Sequence, residues 1–451
     1  MSVSFLSSLF KIAVPIILQN FLSSFVNMLD TIMVGQLGSV DIAAVGLANQ
    51  IFFVMTIVLF GISSGGSIFI AQFWGKKDMD GVHRTIGITV SASFIISLVF
   101  FCAGTFIPEI CLKIYTKDAE VLSRGAFYLR TVAPSFLFTG TGVAIAHAAR
   151  STERVKLAMY ATGISVVVNG VLNYLLIFGV KTGGGVLIPA MGIKGAAIAT
   201  VIARVIEFSI LITVPYAKKY EIAVSPSKYF KKQSGFIARY IRICVPVLLN
   251  ESLWGIGCSM QSAIYGHAGT SVIAASNITT TISNLIWTFI IGCGNAAAIL
   301  IGKKIGEHKH TEARTLENRL TFFMIASAAC IALLLIPLGF ALKFFFNVEP
   351  EVIHMAKVML FMTAAFYPLW AINMIVVVGV CRSGGDTIFA LVLDIGFMWV
   401  ISLPLGFCAV TFWHLPYWVV FLCIQSEHFF KSTFGLLRLK NGKWLHDVTV
   451  N

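Results

Sequence analysis

Charge is what this sequence has little of. Lys, Arg, Asp and Glu make up 12% of the 451 residues, against about 25% in an ordinary soluble domain, and hydrophobic residues make up 57%. The mean hydropathy is +0.88. Such a composition excludes an ordinary soluble globular domain, and it indicates an all-α integral membrane protein that crosses the bilayer many times.

Sequence motifs of several other protein classes are missing. No Walker A pattern G-x-x-x-x-G-K-[ST] occurs, so we expect that ATP does not drive the chain directly. Neither G-x-S-x-G nor H-E-x-x-H is found, which argues against an intramembrane hydrolase. The nine cysteines form no C-x-x-C pair, and the lysine within "EHKHTE" at 307–312 favours a solvated turn over a metal site. We therefore expect no enzymatic activity, no cofactor and no metal.

Long apolar segments are abundant instead, and each is long enough to cross a bilayer as a helix. No segment alternates apolar and polar residues in strands of about ten, so a β-barrel is excluded. We predict twelve transmembrane helices. The apolar segments lie at about 12–34, 45–73, 86–107, 127–149, 157–179, 195–216, 237–265, 272–301, 320–342, 355–381, 387–410 and 412–437.

The net charge of +13 reflects where the basic residues lie. With a cytoplasmic N-terminus, the inside segments hold 24 of the 33 Lys and Arg residues, the outside segments hold 8, and Arg204 lies within a span. This asymmetry follows the positive-inside rule, which explains the charge without nucleic acid as a partner. We predict a multi-pass protein of the cell inner (plasma) membrane with both termini cytoplasmic.

The sequence repeats itself at a constant offset of 231 residues. Ten of the 35 aligned pairs from Ile12 are identical, including Pro15 with Pro246 and Gly35 with Gly266, where chance would give roughly three. Six spans per repeat is an even number, so we predict two pseudo-symmetric six-helix lobes related by an axis along the membrane normal. The predicted N-terminal lobe is 1–216, the cytoplasmic linker 217–236, and the C-terminal lobe 237–451 with a short cytoplasmic tail. This architecture suits alternating access, and the alternative is a duplicated scaffold that moves nothing.

Two carboxylates lie within the first helices of the two halves. Asp30 is the only charged residue from Ile12 to Val40, and a charge at the middle of a span costs about 2.5 to 3.5 kcal/mol. In the repeat, Asp30 aligns with Gln261 and Glu251 with Asn20. We expect both carboxyls to be buried without an opposite charge and to couple transport to a cation; the alternative is a carboxyl hydrogen-bonded permanently between helices.

Neutral polar residues lie in other spans. Asn169 and Asn173 are four residues apart, so they share a helix face and could supply oxygens to a cation or hold a proton. They could equally join helices by hydrogen bonds. Thr200, in "GIKGAAIAT", is a weaker candidate for the same polar pocket.

Other candidates have structural alternatives that stay open. Asp394 could relay ions or hold a structural partner. Arg204 and Glu207 are three apart, which favours a structural ion pair. Aromatic rings, including that of Tyr367, could attract a cationic compound, or they could anchor the helices at the membrane interface.

Several segments resemble the multidrug and toxic compound extrusion (MATE) family, close to its NorM-type bacterial branch. The resemblance covers nearly the whole chain, and it implies twelve helices in two lobes that export cationic amphipathic compounds in exchange for H⁺ or Na⁺. The segments that carry it are "PIILQNFLSSFVNMLDTIMVGQLGSVDIAAVGLANQI", "NGVLNYLLIFG", "GIKGAAIAT", "VPVLLNESLWGIG" and "CRSGGDT".

The resemblance also implies residue roles. Asp30 matches the first-helix acid implicated in cation coupling, and Glu251 matches the seventh-helix acid of members with a cation site in the C-terminal lobe. Asn169, Asn173 and Thr200 match positions that line the polar pocket of the N-terminal lobe, and Tyr367 also matches.

Two positions depart from the family's pattern. Asn173 stands where another branch has an aspartate, which argues against a proton shared by two carboxylates. Ala371 stands where some NorM-type members have an acid, so the C-terminal lobe lacks one expected ligand.

We therefore predict a monomeric secondary active transporter with small cationic substrates and the lipid bilayer as its partners. A lipid-linked oligosaccharide flippase of the same superfamily is the closest alternative, and a passive cation channel is another. Flippases commonly carry extra spans and a strongly basic cleft, whereas this chain has twelve spans and acidic candidates. A channel would pass current without substrate exchange.

Overall fold

The structure is a computed structural model, which describes residues 3–182, 185–223, 235–346 and 348–450. It confirms the all-α class, since the long apolar segments are helices. In lipid a chain must satisfy its backbone hydrogen bonds internally, and a helix does so within one segment. A short antiparallel hairpin of β1 (Val180–Thr182) and β2 (Gly185–Ile188) interrupts the helices between α7 and α8.

The helices of the first half are long, and a turn or a bend separates most of them. They are α1 (Val3–Gly35), α2 (Ser39–Lys76), α3 (Met79–Phe106), α4 (Pro108–Lys113), α5 (Ala119–Val132), α6 (Pro134–Ser151), α7 (Val155–Phe178) and α8 (Ile193–Ala217).

The second half begins with helices about as long as the first helices of the first half, and it ends with shorter helices. They are α9 (Phe236–Ala268), α10 (Thr270–Gly306), α11 (His310–Phe345), α12 (Pro350–Met374), α13 (Thr387–Leu391), α14 (Leu403–Thr411), α15 (Tyr417–Gln425) and α16 (Glu427–Lys440).

Three segments of the second half are π-helical. Ile375–Arg382 continues α12, and Val392–Gly396 and Met398–Ser402 continue α13 toward α14. A π-helical turn holds more residues than an α-helical turn, so each segment rotates the side chains that follow it around the helix axis. These turns occur frequently at functional sites.

The helix count is consistent with twelve spans. Within the described residues, ten helical segments are long and apolar enough to cross a membrane, and α5 with α6, bent by 53°, can form an eleventh. The bend lies next to Pro134 at the start of α6, where proline lacks the backbone N–H of a continuous helix. Most residues of the remaining predicted span, 412–437, lie in α15 and α16, which only Ser426 separates.

The structure bears out the repeat in its helices. Helices α1 and α9 are both 33 residues long, and their internal prolines, Pro15 and Pro246, are the pair that the offset of 231 aligns. Helices α2 and α10 are 38 and 37 residues long.

The chain forms two compact units. The N-terminal unit consists of Leu18–Ile70 and Asp78–Phe236, and the C-terminal unit of Met1–Ile17, Ala71–Lys77 and Ile237–Asn451. The predicted lobe boundaries remain a prediction, and residues 224–234 of the predicted linker lie outside the described residues.

Each unit has its own packing. In the N-terminal unit α3 packs on α6, α7 packs on α8, and Met55, Leu129 and Phe136 are buried in one apolar core. In the C-terminal unit α11 and α10 both pack on α12. The end of α2 crosses α10 so closely that a Cβ atom at Gly306 would overlap the carbonyl of Gln72.

The last residues of the chain pack into the C-terminal unit and are hydrogen-bonded to it. Trp444 is fully buried, and the His446 N–H donates to the Gly384 carbonyl (2.8 Å). Gln72, from the end of α2, is also fully buried: its Nε2 donates to the His446 carbonyl (3.1 Å), and its Oε1 accepts from the Val448 N–H (2.8 Å). The predicted tail is therefore held by specific hydrogen bonds.

Candidate functional site

A hydrogen-bonded cluster in the N-terminal unit brings three of the predicted residues together. Helix α1 carries Asp30, and α7 carries Asn169 and Asn173 on one face. The Asn173 amide Nδ2 donates to Asp30 Oδ1 and to Asn169 Oδ1, the latter at 3.0 Å. Both asparagines are buried (4% and 1% exposed), whereas Asp30 is half-buried. Within the described residues, Asn173 Oδ1 accepts no hydrogen bond.

Tyr128 joins this cluster from α5 and was not among the predicted residues. It is buried, and its hydroxyl lies within the influence of both Asp30 and Thr200. Thr200 Oγ1 donates to the Ala196 carbonyl at 3.0 Å, and within the described residues no hydrogen bond joins it to Asp30, Asn169 or Asn173. The sequence signal was ambiguous, since a tyrosine at the start of a predicted span resembles an interface anchor.

A second polar network in the same unit begins at Gln19 of α1. Gln19 Nε2 donates to Thr162 Oγ1 (3.2 Å), and Thr162 Oγ1 donates to Glu207 Oε1 (2.8 Å). Arg204 forms an ion pair with Glu207 at 2.7 Å, which confirms the predicted pair. The charge of Arg204 also acts on Asp30, although no ion pair joins the two.

A cavity opens beside this second network. Its walls combine apolar side chains with charged and amide groups. The lining residues are Gln19, Phe138, Thr139, Gly142, Val143, Ala146, Arg150, Arg204, Glu207, Phe208 and Leu211.

Glu251 in the C-terminal unit has an opposite charge beside it. Its Oε1 lies 2.5 Å from Nη1 of Arg382, which is 3% exposed. The expectation that Glu251 is buried without an opposite charge is therefore wrong. Arg382 belongs to "CRSGGD" just after a predicted span, but the π-helical continuation of α12 carries it into the interior.

Asp394 is likewise paired. It accepts from Lys431 Nζ (2.8 Å) and from Asn250 Nδ2 (3.1 Å), and Lys431 also forms an ion pair with Glu427 at 3.1 Å. Arg382 donates to Asn250 Oδ1, so Asn250 links the two groups of charges. The spacing of Glu427 and Lys431, four residues apart in an apolar stretch, was the signal that sequence reasoning missed.

Tyr367 lies in an aromatic cluster of the C-terminal unit. Its ring centroid is 6.2 Å from that of Trp287 and 5.8 Å from that of Trp370. Within the described part of the chain, the buried Tyr367 hydroxyl has no hydrogen-bond partner, and no hydrogen bond joins Tyr367 to Glu251 or Asp394. Ala371, one turn further along α12, is fully buried.

The histidines of "EHKHTE" lie near other charges. Glu307 forms ion pairs with Lys304 (3.0 Å) and Lys309 (3.4 Å), and His308 Nδ1 lies 3.6 Å from Asp447. Over the described residues, no group of three or more His, Cys, Asp or Glu side chains is arranged to hold a metal ion.

Comparison with known families gives a match in both halves of the chain. The MatE family model matches residues 15–175 and 247–408. The chain belongs to the MatE family. The second matched range begins 232 residues after the first (247 minus 15), within one residue of the offset at which the sequence repeats. The resemblance to MATE transporters is thereby confirmed, and the chain is a multi-pass membrane transporter of this family.

Two curated relatives of this MatE protein come from bacteria. A probable multidrug resistance protein NorM of Thermotoga maritima is 24% identical over 442 residues, which cover 97% of this chain and 92% of the relative. A probable multidrug resistance protein YoeA of Bacillus subtilis is 23% identical over 397 residues, which cover 87% of this chain and 84% of that one.

Solved structures of MATE transporters share the fold. A MATE in complex with MaL6 has a TM-score of 0.86 and 18% identity, with 97% of this chain and 96% of the other covered. A MOP superfamily transporter from Pyrococcus furiosus has a TM-score of 0.84, 18% identity and the same coverage. That transporter is described as having a binding pocket of reverse polarity, which suggests a different function.

Proposed function

We propose that this MatE transporter exports cationic amphipathic compounds in exchange for entering H⁺ or Na⁺, by alternating access. The observation that carries the proposal is the environment of Asp30. Its direct partner is the neutral amide of Asn173, and it has no ion pair among the described residues. Glu251 and Asp394 are both paired with cations. A carboxylate without a fixed counter-charge can take up an entering cation without first releasing a partner.

The oxygen atoms around Asp30 suit either coupling ion. The buried Oδ1 of Asn173 accepts no hydrogen bond within the described residues, so it can contact Na⁺ or accept a hydrogen bond from a protonated Asp30. Asn173 and Asn169 are neutral, so Asp30 need not share a proton with a second carboxyl. If ion and cationic substrate compete for Asp30, loading of the ion displaces the substrate, and this differential binding drives exchange.

The C-terminal unit supplies the second coupling group of the proposal. A cation that binds at Glu251 or Asp394 would compete with Arg382 or Lys431, so binding there would release a buried positive side chain. The partly exposed rings of Trp287 and Trp370 offer faces that attract a cationic substrate, and the buried ring of Tyr367 packs against both.

The cellular setting belongs to the same proposal. The distribution of Lys and Arg supports the plasma membrane with both termini cytoplasmic. The names of the relatives, probable multidrug resistance proteins, support small toxic compounds as substrates.

The test is gradient-driven efflux of a fluorescent cationic dye from proteoliposomes with an imposed pH or Na⁺ gradient. Asp30→Asn should preserve folding, because an amide costs less to bury than a carboxylate, and should abolish the gradient-driven part of efflux. Asp41→Asn is the matched control, since Asp41 is a carboxylate of the same unit that pairs with Arg124 at 2.7 Å. An Asp30→Asn protein with unchanged efflux and unchanged ion dependence would remove Asp30 from the mechanism.

The same vesicles distinguish the alternatives. A passive cation channel would give ion current without dye exchange. A lipid-linked oligosaccharide flippase would translocate its lipid without responding to the dye gradient.

A further inference from the structure

The cavity beside Arg150 and Arg204 has properties that the exchange of cations does not explain. Gln19, on its wall, is eleven residues before Asp30 on α1, which corresponds to about 16 Å along a helix axis. The Gln19 side of the cavity is therefore distant from Asp30, whereas the charge of Arg204, which also lines the cavity, acts on Asp30.

The charges that line this cavity do not balance. Arg204 is compensated by Glu207 at 2.7 Å. Arg150, in the last turn of α6, makes one long hydrogen bond, from Nη1 to Gln19 Oε1 at 3.5 Å, and forms no ion pair with any described residue. The cavity thus carries one net positive charge, on a guanidinium that is half-buried.

A partly buried guanidinium without a fixed counter-charge is stabilised by an anion that reaches it. Its planar fork of N–H donors matches the oxygens of a carboxylate or phosphate, which it can bind in a bidentate manner. Phe138, Val143 and Phe208, which also line the cavity, can hold a hydrophobic body. Gln19 contributes an amide beside the guanidinium.

We infer that this cavity binds an amphipathic oxyanion, with its carboxylate or phosphate on Arg150 and its apolar body against Phe138 and Phe208. The occupant is either a free amphipathic anion or the headgroup of an anionic lipid, and the two share the same chemistry at Arg150. This site lies outside the proposed exchange of cations at Asp30.

The test uses the full chain in nanodiscs of zwitterionic lipid, with binding followed by energy transfer from tryptophan to a pyrene probe. The probes are pyrenebutanoate and its uncharged amide, which have nearly the same shape. Arg150→Gln should weaken binding of the carboxylate by about tenfold or more and leave the amide unchanged. Arg150→Lys, which keeps the charge but loses the fork, should give an intermediate effect.

Two controls keep the inference separate from folding and from the proposed function. Arg154→Gln removes an arginine of the same region that already pairs with Glu221 at 2.8 Å, and it should leave binding unchanged. Asp30→Asn removes a negative charge that acts on Arg204, so it should not weaken pyrenebutanoate binding, whatever it does to dye export. Equal loss of both probes with Arg150→Gln, or no loss of either, would overturn the inference.

A competition arm distinguishes the two sources. If a lipid headgroup is the natural occupant, a lysophosphatidate should displace pyrenebutanoate from the wild-type protein with at least tenfold higher affinity than a free alkyl carboxylate of equal length. If a free anion is the occupant, the alkyl carboxylate should compete at least as well as the lysophosphatidate. Failure of both competitors would overturn an oxyanion site.

Discussion

Glu251 forms an ion pair with Arg382, with 2.5 Å between Oε1 and Nη1. Asp30, the acid of the other half, instead accepts a hydrogen bond from a neutral amide. The two halves of a duplicated sequence thus hold their acids in opposite electrostatic settings. A cation that binds at Glu251 must displace a protein side chain, whereas one that binds at Asp30 need not.

This difference predicts unequal effects on stability. Glu251→Gln leaves Arg382 buried without its counter-charge, so we expect a loss of about 3 to 5 kcal/mol, measured as a lower thermal unfolding midpoint in detergent. The double substitution Glu251→Gln, Arg382→Gln should recover much of it. Glu109→Gln breaks an exposed pair with Arg130 and should cost at most about 1 kcal/mol. Equal effects from Glu251→Gln and Glu109→Gln would contradict the role of the pair.

The neutral partner of Asp30 predicts a change of coupling. Asn173→Asp puts a second carboxyl beside Asp30, and two adjacent carboxyls cannot both ionise readily, so they should share a proton. We expect dye efflux to depend more steeply on the proton gradient and less on Na⁺. Asn20→Asp adds a carboxyl elsewhere on α1 and is the control. If Asn173→Asp transports with unchanged ion dependence, the amide does not set the coupling.

We expect the attachment of the C-terminal tail, residues 444–450, to depend on pH. Burial favours the protonated form of Asp447, but hydrogen bonds from Thr449 and the charge of Lys76 outweigh it and lower the pKa of the carboxyl. Because the folded pKa lies below the unfolded one, this contribution to stability is present above about pH 4 and is lost as pH falls through the folded pKa.

Limited proteolysis and hydrogen exchange at residues 444–450 can measure this effect. Protection should decrease between pH 6 and pH 3 in the wild-type protein. Asp447→Asn should lower protection at pH 6 and remove most of the pH dependence, because Lys76 at 3.3 Å and His308 at 3.6 Å would face a neutral group. A tail equally protected at both pH values would show that Asp447 does not hold it.

Some parts of the site could be predicted from local sequence. Asn169 and Asn173 share a helix face at their spacing, and Arg204 and Glu207 are one turn apart, so helix geometry alone brought each pair together. The repeat was equally visible, because identical residues at a constant offset need no structure to be recognised.

Other contacts depend on distant segments. Asn250 and Arg382 are 132 residues apart and meet only after α9 and α12 have packed. The π-helical segment that carries Arg382 also changes the rotation per residue, so a count of 3.6 residues per turn does not give the face on which Arg382 lies. The expectation that Glu251 lacks an opposite charge was therefore wrong because its pairing with Arg382 depends on the packing of distant segments.

The contact between Gln72 and Val448 sets an order for biogenesis. The two residues are 376 positions apart, so at 5 to 20 residues per second the ribosome makes the second roughly 20 to 75 s after the first. Until then the amide of Gln72 lacks its partner from the tail. The N-terminal unit can complete its packing once residue 236 has emerged from the ribosome. The C-terminal unit can do so only after the tail has been translated. Nascent chains stalled before residue 444 should therefore be the substrates of membrane quality control.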